Sequence, residues 1–324
     1  MSETAELARL CEELGFDAIW LPDQSFHRDP YLALAAAAHA TDRIQLGLGV
    51  TTPLARHPVQ IARAIASLDE LSGGRALLGL GAGNKKMFLD KLGLSQRRAA
   101  ARVRDAAQVI RRLLMGETVH WEQPDLVVRD VQLEFPARGA VPIYVASRAP
   151  LMLAVGGEVA DGVIAEALFT TGGIQYFFER VERGARTAGR NPSAVDTVCW
   201  QVVDVTDDRA GGVEALREWA AHIIGASSDD IVQRLGIDTE VGAAIHAAYR
   251  EGGQKQAAQF VTDCEVDAVA IVGDADHCAN KVRQMIDAGV NSMTLLVRGS
   301  MTNKARIVRQ FSENVMPRLE AVAT

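Results

Sequence analysis

The sequence predicts an α/β chain built on a parallel sheet, a (β/α)8 TIM barrel with insertions, and three observations carry that expectation. Continuous apolar runs such as IQLGLGV (44–50) suit strands buried on both faces rather than half-exposed antiparallel ones. Strand-like runs alternate with amphipathic helical stretches, and Gly-rich turns fall where strands end, the place where parallel α/β folds hold their ligands. Residues 44–83 show all three together. The strand 44–50 is followed by a turn, 51–57, and a helix, 58–72, with Pro58 in its first turn, an apolar stripe through Ile61, Ala64, Ile65 and Leu68, and a stop at Gly73-Gly74. A second apolar strand then ends in Gly81-Ala82-Gly83.

The other elements are placed around that unit in chain order. An amphipathic helix, 3–14, closes at Gly15 and leads into the strand FDAIWL, 16–21; the loop 22–30 precedes an Ala-rich helix, 31–40. After Gly83 a polar loop carries Lys85 and Lys86, and a long helix runs from 96 to about 115. Alternating apolar and polar positions around Pro124-Asp125 read as a hairpin. Strands at 143–146 and 162–165 enclose a helix at 150–155, and a helix at 174–188 follows. Beyond Asn191-Pro192 come a strand, 198–205, a helix, 213–226, short helices over 227–263, an apolar segment at 268–272, a helix, 276–288, a strand, 292–297, and a closing helix, 302–322. The whole of 1–324 reads as one domain with a hairpin insertion near 117–136 and a helical insertion near 206–265. Seven barrel strands are counted. The eighth is expected ahead of the opening helix, where only Met1 and Ser2 stand, so either that first strand is missing or truncated, or the segment at 268–272 completes the ring.

Composition narrows the class of function. A net charge of −7 without a basic stripe argues against nucleic acid as a partner. Cys11, Cys199, Cys264 and Cys278 have no CxxC spacing and are too sparse for a disulfide framework, which suits a reducing cytoplasm. No apolar run approaches membrane-spanning length, Met1-Ser2-Glu3 begins no signal peptide, and the histidines show neither HxH nor HExxH spacing. A small-molecule enzyme without a metal site is expected.

The segments GFDAIWLPDQ (15–24), RIQLGLGVTTPLARHPVQIARAIASLDELSGGRALLGLGAG (43–83), VPIYVASRAPLMLAVGGEVADGVI (141–164) and AGVNSMTLLVRG (288–299) resemble the luciferase-like superfamily of (β/α)8 barrels. More closely, they resemble its branch that uses the deazaflavin coenzyme F-420, typified by methylenetetrahydromethanopterin reductase. The run SLDELSGGRALLGLGAG carries the most specific part of the resemblance, and 206–265 carries little of it.

The resemblance implies a cis peptide at Gly49-Val50 behind the cofactor ring, a polar contact from Thr52 and backbone contacts from Ala82 and Gly83. On the phosphate side it implies Arg148, Ala149, Leu151 and Met152, in the segment that opens with Ser147. Physical chemistry supports the last group independently, since the helix starting at Pro150 offers free N–H groups and a positive dipole end. Asp23 takes the strand-end acid of the family. The next position, commonly His, is Gln24, and the Glu that follows the Gly turn in the branch's glucose-6-phosphate dehydrogenases is Asn84. Gln cannot pass a proton as His does, which argues against that dehydrogenase activity. Glu166, just past a strand end, is a candidate proton donor, and His27 a candidate replacement for the missing imidazole. Arg28-Asp29 resembles an RD pair of reductase-like members, and Lys85 and Lys86 are candidates to meet the acidic tail of the cofactor. The implied function is hydride transfer between the deazaflavin and a small organic substrate, with homodimerisation by analogy. Two alternatives stay open: an FMN-dependent monooxygenase of the same superfamily, and a non-catalytic flavin-binding or interaction subunit.

Overall fold

Helix α1 (Ser2–Glu13) buries Ala8, Leu10 and Cys11 and hands the chain to strand β1 (Ala18–Leu21) through Gly15, whose φ of +81° suits a residue without a side chain. The computed structural model describes residues 1–23, 26–135 and 137–320. Gln24, singled out above, lies outside them, as does the end of the closing helix expected to reach Val322. By packing, the chain divides into two compact units, residues 1–163 with 181–195, and residues 164–180 with those from Asp196 onward.

In the first unit, α2 (Pro30–Ala38) starts at Asp29, whose carboxylate accepts from the N–H groups of Tyr31 (2.9 Å) and Leu32 (3.3 Å). Strand β2 (Gln45–Thr51), helix α3 (Pro58–Ser72) and strand β3 (Ala76–Gly81) form the expected β-loop-α-turn-β unit. Helix α3 turns Ile61, Ile65 and Leu68 inward and ends at Gly73 in the left-handed conformation, with the Gly74 N–H reaching back to Asp69 O. The stretch after Gly83 is more ordered than a polar loop. Asn84 caps a π-helical turn, Lys85–Leu89, by accepting from Met87 N–H (2.9 Å), and a 3-10 turn, Asp90–Leu92, follows.

Helix α4 (Ala99–Leu114) precedes the antiparallel hairpin β4 (Val119–Gln123) and β5 (Leu126–Val131). Then come β6 (Ile143–Ala146), α5 (Pro150–Val159) and β7 (Gly162–Glu166). Strands β1, β2, β3 and β6 lie side by side in parallel, Trp20 against Gly47, Leu78 against Ile143 and Gly81 against Ala146. Large rings fill the room that glycines leave. A Cβ on Gly47 would strike the Trp20 ring and one on Gly162 the Tyr144 ring, and the two rings meet edge to face at 5.3 Å.

The second unit begins within β7. Helix α6 (Thr171–Thr187) leaves it, its last turns belonging to the first unit, and β8 (Asp196–Val205) re-enters it. Helix α7 (Arg209–Gly225) covers most of the helix expected at 213–226, and the segment expected to hold only short helices, 227–263, contains α8 (Asp229–Arg234) and α9 (Thr239–Ala257), the last a 19-residue helix kinked at Gly253. Helix α10 (Asp263–Val269), with a Thr262/Glu265 capping box, runs into β9 (Ala270–Gly273). Helix α11 (Ala275–Asp287), strand β10 (Ser292–Leu296), helix α12 (Met301–Gln310), a π-turn and helix α13 (Met316–Glu320) complete the described chain. The closing helix is therefore interrupted, not continuous. Strand β9 does join the sheet, but by pairing with residues 202–205 of β8 beyond the 198–202 that β10 holds. It extends the partnership of β8 and stands off the main strand order.

Candidate functional site

Three of the turns singled out in the sequence follow neighbouring strands, β2, β3 and β6, at their carboxyl ends. The Gly49-Val50 peptide is cis, where the resemblance put it, and the β2–β3 register slips by one residue between Leu48 and Thr51. Glycines in β3 admit this turn. A Cβ on Gly79 would come within 2.4 Å of Leu48 O, and one on Gly81 within 2.7 Å of a Val50 methyl. Val50, Thr51, Thr52, Pro53 and Leu54 are all buried, which gives the turn an apolar body. Gly83, at φ +73°, packs against Thr52, and its carbonyl accepts from the Gln96 amide (2.8 Å), a tie that no motif announced.

The Thr52 hydroxyl accepts from Leu54 N–H (3.3 Å) within its own turn, and its methyl faces Gly83. Ala82 and Gly83 are partly exposed, as backbone groups offered to a ligand need to be. On the third turn the Ser147 hydroxyl accepts from Ala149 N–H (2.9 Å), which turns the chain into α5 at Pro150. Arg148 is half-buried, Ala149 exposed, Leu151 strongly exposed and Met152 buried, so Met152 anchors the helix start while its neighbours line the surface.

Asp23 follows β1 and is fastened to the same edge: its N–H donates to Val50 O (3.1 Å). Its Oδ2 accepts from the Thr51 hydroxyl (2.8 Å) and lies 3.2 Å from Arg56 Nε. Burial pushes the carboxyl up from its ordinary value; Thr51 and Arg56 pull it down, and the neighbouring Asp29 pushes it up again. Arg56 also reaches Asp29 (3.4 Å) and stacks 4.8 Å from the centre of the Tyr31 ring. Among the described residues the buried Tyr31 hydroxyl has no hydrogen-bond partner within bonding geometry, and Thr51 stands beside it. Burial holds this phenol neutral far beyond physiological pH.

Several expectations change. Asp29 of the Arg28-Asp29 pair caps α2 and pairs with Arg56. Lys85 is held by Asp90 at 2.8 Å and is not a free cation for an acidic tail. Asn84, at the position of the dehydrogenases' base, caps the π-turn. His27 is exposed in its loop. Glu166 is the last residue of β7 rather than lying past it, is half-buried and belongs to the second unit, followed by Ala167 at φ +57°. Arg56, Tyr31 and Thr51 were missed. Arg56 stands inside PLARHPVQ, in the turn two residues before the Pro58 that starts α3, but nothing in that run announced its partners.

Comparison with known proteins matches the family model of luciferase-like monooxygenases over residues 1–292. The 5,10-methylenetetrahydromethanopterin reductase of Methanolobus tindarius is 34% identical over 315 residues, 96% of this chain and 95% of the reductase. The F420-dependent glucose-6-phosphate dehydrogenase of Amycolatopsis mediterranei is 26% identical, covering 99% of this chain and 95% of its own length. The solved structure of the coenzyme F420 dependent tetrahydromethanopterin reductase from Methanopyrus kandleri superposes with a TM-score of 0.86 at 27% identity, over 98% of this chain and 95% of that one. The α/β TIM-barrel class expected from the sequence is thereby established.

Proposed function

Because the chain belongs to the luciferase-like monooxygenase family, we propose that it is an F-420-dependent oxidoreductase, methylenetetrahydromethanopterin reductase-like in substrate class. The observation that carries the reading is the adjacency of the three turns at the ends of β2, β3 and β6. Two features fit a flat ring with an anionic tail. One is the buried apolar turn 49–54 beside a glycine edge that lacks side chains. The other is the start of α5, where the first-turn N–H groups favour a phosphate.

Bound in its reduced form, F-420 would supply a hydride from C5 of its ring and so be oxidised by two electrons. The protein's part would be to support one face of that ring with the 49–52 turn, to align it with the backbone at Ala82 and Gly83, and to hold the phosphate side at 147–152. Asp23 is the carboxylate at this edge and the candidate to handle a proton; Glu166 is the second candidate. We read the chain as a single luciferase-like domain with the hairpin and helical insertions, and as a homodimer, which light scattering in solution tests.

Deazaflavin fluorescence followed while F-420 is added to purified protein should change saturably, and FMN should bind more weakly. Tight FMN binding with no F-420 response would instead assign a flavin-dependent monooxygenase. Neither cofactor binding would leave an interaction subunit. With F-420 bound, oxidation of its reduced form by a methylene-tetrahydropterin, tested against ketone and enone acceptors, decides the substrate class.

A further inference from the structure

The turn that leads into α3 carries one side chain with three partners. Arg56 lies with its Nε 3.2 Å from Asp23 Oδ2, its Nη2 3.4 Å from Asp29 Oδ2 and its guanidinium carbon 4.8 Å from the centre of the Tyr31 ring. Each partner is anchored separately. Asp23 is tied through its backbone to Val50, Asp29 caps α2, and Tyr31 sits in the first turn of that helix. A planar guanidinium can bridge two carboxylates while lying flat on an aromatic ring; a lysine ammonium is a point charge and cannot.

We propose that Arg56 is a positioning residue that keeps Asp23 a carboxylate and fixes it against the Gly49-Val50 turn, so that it presents a directed acceptor to an N–H or O–H group of a bound ligand. The inference rests on the reading of this edge as the cofactor site. Among the described residues, the Thr51 and Arg56 contacts to Asp23 both fall on Oδ2, which leaves Oδ1 outside the clamp. The groups facing Asp23 come from three elements: Thr51 from β2, Arg56 from the turn before α3, and Asp29 with Tyr31 from the start of α2. Burial and Asp29 favour the protonated form, whereas Thr51 and Arg56 oppose it. Removing Arg56 leaves burial and Asp29 opposed by a single hydroxyl.

The test is a carboxyl titration of the cofactor-free protein by carbon NMR with labelled aspartate, the Asp23 signal being assigned by its absence in Asp23→Asn. In Arg56→Gln the Asp23 midpoint should rise by about one pH unit or more, a roughly tenfold gain in proton affinity. Arg56→Lys, which keeps the charge and is the safer variant to fold, should rise by a smaller step. With cofactor and substrate bound, the acid limb of the kcat profile should move the same way. An Asp23 midpoint unchanged in both variants would overturn the proposal, even if stability fell, because a purely structural arginine moves stability alone. Failure of the F-420 reading would show in the wild-type fluorescence titration, which is independent of this measurement.

Discussion

The two ends of the β2–α3–β3 unit are built from the same short stretch of sequence and organised on opposite lines. At the amino ends of the strands every arm of Arg75 is engaged: Nε with Ser72 O (2.7 Å), one terminal nitrogen with Thr41 Oγ1 and Ile44 O (2.9 and 3.0 Å), the other with Ala38 O and Thr41 O (both 3.0 Å). Nearby, the Glu12 carboxylate accepts from the N–H groups of Asp42, Arg43 and Ile44. Burial would raise the Glu12 carboxyl, but those three donors hold it below its ordinary value. At the carboxyl ends the chain offers glycines, a cis turn, a buried phenol without a partner among the described residues and a carboxylate whose burial opposes its charge. One end satisfies its polar groups internally; the other leaves capacity for a ligand. Within SLDELSGGRALLGLGAG, the part of the sequence that carries the most specific resemblance, SGGRA therefore marks the structural end and Gly81-Ala82-Gly83 the end proposed to be functional.

The largest break should come at the structural end. Arg75→Ala removes five hydrogen bonds and leaves four backbone carbonyls and the Thr41 hydroxyl without that partner, a loss of about 3 kcal/mol or more. Urea unfolding should show a lower midpoint at an unchanged slope, while F-420 affinity of the folded protein stays at the wild-type value. Weakened binding in the folded protein would mean that the two ends do not act separately.

Gly83→Ala probes the other end with a smaller effect. An L-residue at φ +73° costs about 1 kcal/mol, and the added Cβ would stand 3.2 Å from the Thr52 methyl. Stability should fall by roughly that amount, and F-420 affinity by on the order of tenfold, equivalent to about 1.4 kcal/mol. A stability loss with affinity retained would remove the Gly83 backbone from the cofactor site.

What the sequence revealed follows the same division. Apolar periodicity and Gly/Pro punctuation located the strand–helix–strand unit, because local backbone preference and burial set those elements. Adjacent turns could be placed together since parallel strands align their carboxyl ends. The Arg56 clamp was not legible, because it joins residues 23, 29, 31 and 56, whose meeting depends on the packing of α2 beside β2. The order around Asn84 and Lys85 was not legible for a related reason: a π-turn has no periodic signature, so a helical cap and its ion pair looked like a polar loop. Strand β9 shows the limit of counting apolar runs, which identifies a strand but not the neighbour it will take.

Asp23→Asn tests whether the functional end costs stability. The native carboxyl binds its proton more tightly than the unfolded chain does, so the folded state holds the extra proton. Stability from this group is present below the unfolded value of about 3.9 and is lost as pH rises through the higher native value. Relative to Asp23→Asn, the wild type should therefore lose ground as pH rises from about 4 towards neutrality. Urea midpoints of the two proteins at several pH values check the sign, and a difference that stays constant or reverses contradicts it.

The smallest expected effect is Tyr31→Phe. The ring under Arg56 is kept, and the hydroxyl removed is buried without a partner, so the change deletes an uncompensated polar atom rather than a bond. Cofactor-free stability should shift by no more than about 0.5 kcal/mol, in either direction. If the hydroxyl instead completes a bond to Thr51, the loss should reach about 1 kcal/mol. Tyr31→Leu supplies the contrast, since it also takes the ring from beneath the guanidinium. That variant should raise the Asp23 midpoint in the same direction as Arg56→Gln but by less, because the Asp23 and Asp29 contacts of Arg56 would remain.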